Sequence, residues 1–101
     1  MTKAERQTGR TTRMLKLALV RKQTAPVRIV VLTQAMIPLC LRMEPELRPN
    51  DFVVISRDLD HRLRGVRSQS QVFVDHAVWE SASTKDLKRL RAVLRLMDVR
   101  S

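Results

Sequence analysis

A short run near the amino terminus has the residue types of a phosphate-binding turn: Thr8, Gly9, Arg10, Thr11 and Thr12. A glycine-containing turn that feeds a helix points backbone N–H groups at phosphate oxygens, and the helix dipole favours the same anion. A cation in the next position bridges the terminal phosphates, and a hydroxyl after it holds Mg²⁺. The run therefore predicts a site for ATP or another nucleoside triphosphate with Mg²⁺. The alternative is an ordinary helix start capped by Thr8 or Thr11.

A second candidate follows the apolar run 71–74 (QVFV), where Asp75 and His76 stand side by side. Ligands of open parallel sheets bind at the carboxyl ends of strands, so Asp75 is expected to share the Mg²⁺ with Thr11. Imidazole exchanges protons readily near neutral pH, which makes His76 the candidate catalytic base. Each residue also has a plainer explanation: an aspartate that ends a strand, and a histidine that packs or faces solvent.

The chain is strongly basic, with 20 Lys and Arg against 10 Asp and Glu and a net charge of +10. This balance favours nucleotide, DNA, RNA or an acidic protein as partner, although an arginine-rich codon usage would give the same charge. Two clusters are expected to contact nucleic-acid phosphates: Arg62, Arg64 and Arg67 in a loop, and Lys88, Arg91 and Arg95 at helical spacing. With two Phe, one Trp and no Tyr, base stacking is not expected.

The apolar pattern predicts the elements that position these residues. β-branched runs indicate strands at 27–32, 51–56 and 71–74. Helical spacing indicates helices at 11–22, at 34–43 and from about Ser83 onward, with one helical turn near 59–63. Alternating strands and helices imply a parallel sheet covered by helices. We expect an α/β fold, a small three-layer sandwich with a three- to four-stranded, mainly parallel sheet.

Length and hydropathy set further limits. The 101 residues fit a single domain over 1–101, with 1–8 as a flexible N-terminus. No apolar run approaches the roughly 18 residues that span a bilayer, and the first residues lack a signal peptide's apolar core. A cytoplasmic protein without a membrane partner is expected. Cys40 lies in an apolar stretch and is expected to be a buried structural thiol. The expected core includes Val30, Val54, Phe73, Leu90 and Leu94.

Together these strings resemble a known family. GRTT opening a helix, IVVLTQ (29–34) and LRGVRSQSQVFVDHA (63–77) are similar to the first RecA-like half of helicases and phage terminase motors. They are most similar to small phage-encoded P-loop-like proteins that begin with GRTTR. The resemblance implies a truncated P-loop NTPase-like fold in the host-cell cytoplasm, with Asp75 as the Walker B aspartate. Arg10 stands for the P-loop lysine, Ala4 for its first glycine and His76 for the water-orienting glutamate, so ATP hydrolysis should be weak or absent.

Three functions remain open at this point. The first is a nucleotide-binding module with weak or no hydrolysis. The second is a protein that keeps the P-loop shell and uses its basic surface on nucleic acid. The third is a small adaptor or inhibitor that binds a host protein, with Trp79 and the last helix as contact points.

Overall fold

The computed structural model of the protein describes residues 3–57, 59–63, 66 and 71–100. Its elements, in chain order, are α1 (Lys3–Lys22), β1 (Arg28–Val31), α2 (Met36–Met43), β2 (Phe52–Val54), α3 (Leu59–Arg62), β3 (Val72–Val74), α4 (His76–Ser81) and α5 (Thr84–Arg100). One turn of 3-10 helix, Pro49–Asp51, leads into β2.

The three strands form one parallel sheet in the order β2-β1-β3. Ile29 pairs with Phe52 on one side and with Phe73 on the other, so β1 is the central strand. The parallel α/β architecture predicted from the sequence is confirmed, with three strands in the described part of the chain.

Helices cover both faces of this sheet, because successive side chains of each strand point to opposite faces and apolar residues occupy both. Ile29 and Val31 pack on one face with residues of α1 and α2, including Leu15, Ala18 and Cys40. Val30 packs on the opposite face with residues of α3, α4 and α5, including Leu59, Val78 and Leu90. The result is two apolar layers separated by the sheet. No helix among the described residues is long and apolar enough to cross a bilayer.

The connections cross the sheet on opposite sides. The β1–β2 connection contains α2, which packs on the face of Leu15. The β2–β3 connection contains α3, which packs on the face of Leu90. Such a reversal opens a crevice at the carboxyl ends of the two strands where the winding changes direction. Here those strands are β1 and β3, so by this rule a crevice is expected next to Asp75, which directly follows β3.

Two helices differ from the sequence prediction. Helix α1 begins at Lys3, eight residues before the predicted start, and so includes residues 3–8 that were expected to be a flexible N-terminus. The residues before Thr11 lack apolar periodicity but include good helix formers, and one glycine costs a helix only about 1 kcal/mol. Helix α4 was not predicted, since six residues are too few to display a period.

The expected core is partly confirmed. Val30 and Leu90 are fully buried. Val54 and Phe73, on the edge strands β2 and β3, are only partly buried, and Leu94 is partly buried against the apolar cluster that contains Leu90. The predicted helix start near Ser83 is also confirmed, since the Asp86 N–H donates to Ser83 Oγ at 3.2 Å.

Candidate functional site

One hydrogen bond joins two of the predicted site residues. Thr11 Oγ1, on α1, donates to Asp75 Oδ1, which directly follows β3, at 3.0 Å. Thr11 is 6% exposed and Asp75 is 1% exposed. The fold thus brings a hydroxyl and a carboxylate together from positions 64 residues apart, at the carboxyl edge of the sheet.

Two polar atoms beside this bond have no hydrogen-bond partner among the described residues: Asp75 Oδ2 and His76 Nδ1. His76, the predicted base, is the first residue of α4, and its Nδ1 lies 3.5 Å from Asp75 Oδ1. More than about 90% of buried polar groups in native proteins are paired. An unpaired buried carboxylate oxygen therefore marks a place that favours a donor or a cation. A catalytic role for His76 stays a prediction.

The backbone around Thr11 does not form the predicted phosphate-binding turn. Because α1 begins at Lys3, its unbonded N–H groups belong to the first helical turn, which precedes Thr8. The N–H groups of Thr8, Gly9, Arg10, Thr11 and Thr12 lie in the helix interior, where they point at carbonyls four residues earlier. Residues 8–12 are thus helical, without the predicted turn, and nucleotide binding by these residues stays a prediction. Of the predicted site residues, the structure brings Thr11 and Asp75 into contact through their side chains.

Cys40 lies close enough to this pair to be affected by its charge. Burial, and to a smaller degree the charge of Asp75, raise the pKa of the Cys40 thiol to about 11. The thiol is therefore neutral at physiological pH and is not a nucleophile. The side chain is 1% exposed, which confirms the expected buried thiol.

The sequence predicts that Thr11 and Asp75 share a Mg²⁺, and this stays a prediction. No group of three or more His, Cys, Asp or Glu side chains in the described ranges is arranged to hold a metal ion. Mg²⁺ usually takes one or two protein oxygens and completes its shell with phosphate and water. Thr11 Oγ1 and Asp75 could supply those protein oxygens. A backbone cradle for the phosphates, in contrast, has no counterpart at residues 8–12.

A second candidate region lies on the outer side of α5. Lys88, Arg91 and Arg95 are exposed and three or four residues apart, so they are neighbours on one side of the helix. We call these three residues the basic face. Over the described side chains, no carboxylate forms an ion pair with any of them. Arg89 differs, because its Nη2 lies 3.4 Å from Asp86 Oδ1.

The structure describes one residue of the predicted arginine cluster, Arg62. Arg62 Nη2 donates to the Phe52 carbonyl at 3.0 Å, and the Arg62 carbonyl accepts from Arg28 Nε at 3.2 Å. Arg62 thus ties α3 to the edge of the sheet. Arg64 and Arg67 lie outside the described residues.

Sequence reasoning missed two features. The guanidinium carbon of Arg91 lies 5.8 Å from the centroid of the Trp79 ring, which joins α4 to the basic face. A cleft of about 310 Å³ runs beside β2, where Arg57 Nη1 donates to Gln34 Oε1 at 3.2 Å. The sequence carries no signal for the cleft, because its lining comes from three separate stretches, 34–37, 49–57 and Arg62. The ring contact could have been anticipated only by predicting α4.

Comparisons with known proteins supply no relative for this chain. No protein-family model, no curated protein and no solved structure matches it. A function can therefore be argued only from the charges, contacts and burial of its own residues.

Proposed function

We propose that the protein binds nucleic acid through phosphate contacts made by the basic face of α5. The observation that carries the proposal is the grouping of Lys88, Arg91 and Arg95: three exposed cations on one side of a helix, without a described acidic partner. A cation already paired with a carboxylate, such as Arg89, must lose that partner before it can bind phosphate. Among the described side chains, Lys88, Arg91 and Arg95 have no carboxylate partner to lose, although Arg91 contacts the Trp79 ring.

The dimensions of the basic face suit a nucleic-acid backbone. Arg95 lies seven positions after Lys88, which corresponds to about 10 Å along the helix axis. One strand carries a phosphate about every 3.4 Å along its axis, so the face matches a stretch of about three phosphates. Leu90 and Met97 are buried on the opposite side of α5, which fixes the orientation of the cations.

Binding of this kind is independent of base sequence. Cations contact phosphates, whereas sequence is read by donors and acceptors placed against base edges in a groove. Phosphate contacts also release counterions, so affinity falls as salt rises. We expect micromolar or weaker affinity at physiological salt, which is typical of nonspecific binding.

The experiment is a titration of the protein with two duplexes of equal length and unrelated sequence, at several salt concentrations. Three phosphate contacts predict a slope of log affinity against log salt of roughly −3, the same for both duplexes. No binding at low salt would contradict the proposal. A host protein that co-purifies in equal amount would favour the adaptor function instead.

A second candidate function is binding of a Mg²⁺-bound nucleotide phosphate in the crevice beside Asp75. It is supported by the buried Oδ2 of Asp75, which has no hydrogen-bond partner among the described residues, and by the Thr11 hydroxyl at 3.0 Å from Oδ1. It is weakened by the helical backbone of residues 8–12. Turnover of ATP should be slow or absent, because His76 stands where a water-orienting carboxylate would be needed.

The second candidate has its own test. Calorimetric titration of the wild type with ATP should give binding that requires Mg²⁺ and that Asp75→Asn abolishes. Circular dichroism of the variant checks that it is folded. Equal heats with and without Mg²⁺, or in wild type and a folded Asp75→Asn, would leave Asp75 as a structural residue.

A further inference from the structure

We infer that the protein prefers single-stranded to double-stranded nucleic acid, because Trp79 offers an indole surface on which a base can stack next to the basic face. This inference rests on the proposed function, since it adds a base contact to the phosphate contacts of α5. It names the class of nucleic acid that the same surface binds best.

Trp79 is the aromatic side chain in a position to receive a base. It lies on α4 with 40% of its surface exposed, whereas the adjacent Val78 is fully buried. Phe52 is 1% exposed and Phe73 packs at the apolar face of α1 and α2. The low count of aromatic residues argued against stacking, but stacking requires one exposed ring in the right place, and the count does not reveal placement.

Trp79 contacts the basic face through Arg91. Its guanidinium carbon lies 5.8 Å from the ring centroid, within the range of a cation–π contact. The contact joins α4 to α5 and sets the indole at the side of the row formed by Lys88 and Arg95. The ring keeps its 40% exposure with Arg91 in this position. A strand whose phosphates lie along α5 therefore has a base within reach of the indole.

Stacking and charge favour different forms of nucleic acid. A base stacked on an aromatic ring improves affinity roughly 5- to 150-fold, by alanine substitution. That gain is open only to a single strand, because the bases of a duplex are already stacked on each other. Charge alone favours the duplex, which carries twice as many phosphates per unit length. The inferred preference for the single strand therefore means that stacking on Trp79 contributes more to affinity than the additional phosphates of the duplex.

The experiment uses three oligonucleotides of equal length: an intact single strand, the same strand with abasic sites, and a duplex. Trp79 is the chain's one tryptophan and tyrosine is absent, so intrinsic fluorescence reports on this ring. We expect the intact strand to quench the fluorescence and to bind about 10-fold more tightly than the abasic strand. The abasic strand and the duplex should bind without strong quenching.

Two variants separate stacking from folding. Trp79→Leu should bind the intact and abasic strands equally, with an unchanged salt dependence. Leu17→Ala removes an exposed apolar side chain of α1 and should keep the wild-type preference. Duplex binding as tight as that of the intact strand, or equal wild-type affinity for intact and abasic strands without quenching, overturns the inference and leaves the phosphate-binding function standing. No binding of any of the three at low salt overturns both.

Discussion

The crevice beside Asp75 and the basic face of α5 are built in opposite ways. In the crevice, Thr11 and Asp75 come from distant parts of the chain and meet as buried groups. On α5, Lys88 and Arg95 come from one continuous helix and stay exposed. The first arrangement depends on every element between its residues, whereas the second depends on one helix and its docking.

The difference shows which sequence patterns predict the arrangement found in the folded protein. A phosphate-binding turn needs a particular backbone conformation, and that conformation is lost once α1 continues through Gly9. A basic face needs only helical spacing, which the sequence displays directly. Beside Asp75, the predicted side chains therefore meet although the predicted turn is absent. The basic face, in contrast, is present as predicted on α5.

The largest effect should come from loosening the support of the basic face. Leu90→Ala removes a fully buried side chain of α5 and should lower the free energy of unfolding by about 2–5 kcal/mol. Leu96→Ala, on the same helix but 56% exposed, should change it by less than about 0.5 kcal/mol. Urea unfolding measures both. Similar losses in the two variants would show that α5 is not docked in this orientation.

The next effect tests the crevice. Thr11→Val removes the hydroxyl that donates to the buried Asp75 carboxylate, leaving Oδ1 without this donor. The expected loss is about 1–3 kcal/mol in the free energy of unfolding. Thr33→Val, at an exposed threonine, is the matched control and should be nearly neutral. A neutral Thr11→Val would mean that the bond to Asp75 contributes nothing to the fold.

A smaller effect is the pH dependence that Cys40 contributes. The pKa of the thiol in the folded protein, about 11, lies above its ordinary value of 9.0. The neutral thiol therefore contributes fully to the free energy of unfolding below pH 9, and this contribution is lost as pH rises toward 11. Between pH 7 and 10 the free energy of unfolding should fall by about 1 kcal/mol more in the wild type than in Cys40→Ala. Identical pH profiles of the two proteins would show that the thiol ionises normally.

Much of the fold could be predicted, for identifiable reasons. The three strands carry β-branched runs, and α5 repeats Leu87, Leu90 and Leu94 at helical spacing, so both periods are visible in the sequence. The meeting of Thr11 with Asp75 followed from the rule that ligands gather at strand ends.

The rest depended on weak or cooperative effects. Whether the chain turns at Gly9 or continues as a helix is decided by about 1 kcal/mol for one glycine against its neighbours' helix propensities. No apolar pattern marks that choice. The exposure of Trp79 depends on where the short α4 packs, and six residues give no period from which to predict it.

The claim that the basic face binds phosphate is tested most directly by comparing two triple variants. Lys88→Glu/Arg91→Glu/Arg95→Glu reverses the basic face, while Arg13→Glu/Lys16→Glu/Arg21→Glu reverses three exposed cations of α1 and lowers the net charge equally. At low salt, the α5 variant should bind duplex DNA at least about 100-fold more weakly than wild type, with a salt slope smaller by roughly 3. The α1 variant should lose far less and keep the slope. Equal losses in the two variants would mean that net charge, rather than the arrangement on α5, attracts the nucleic acid.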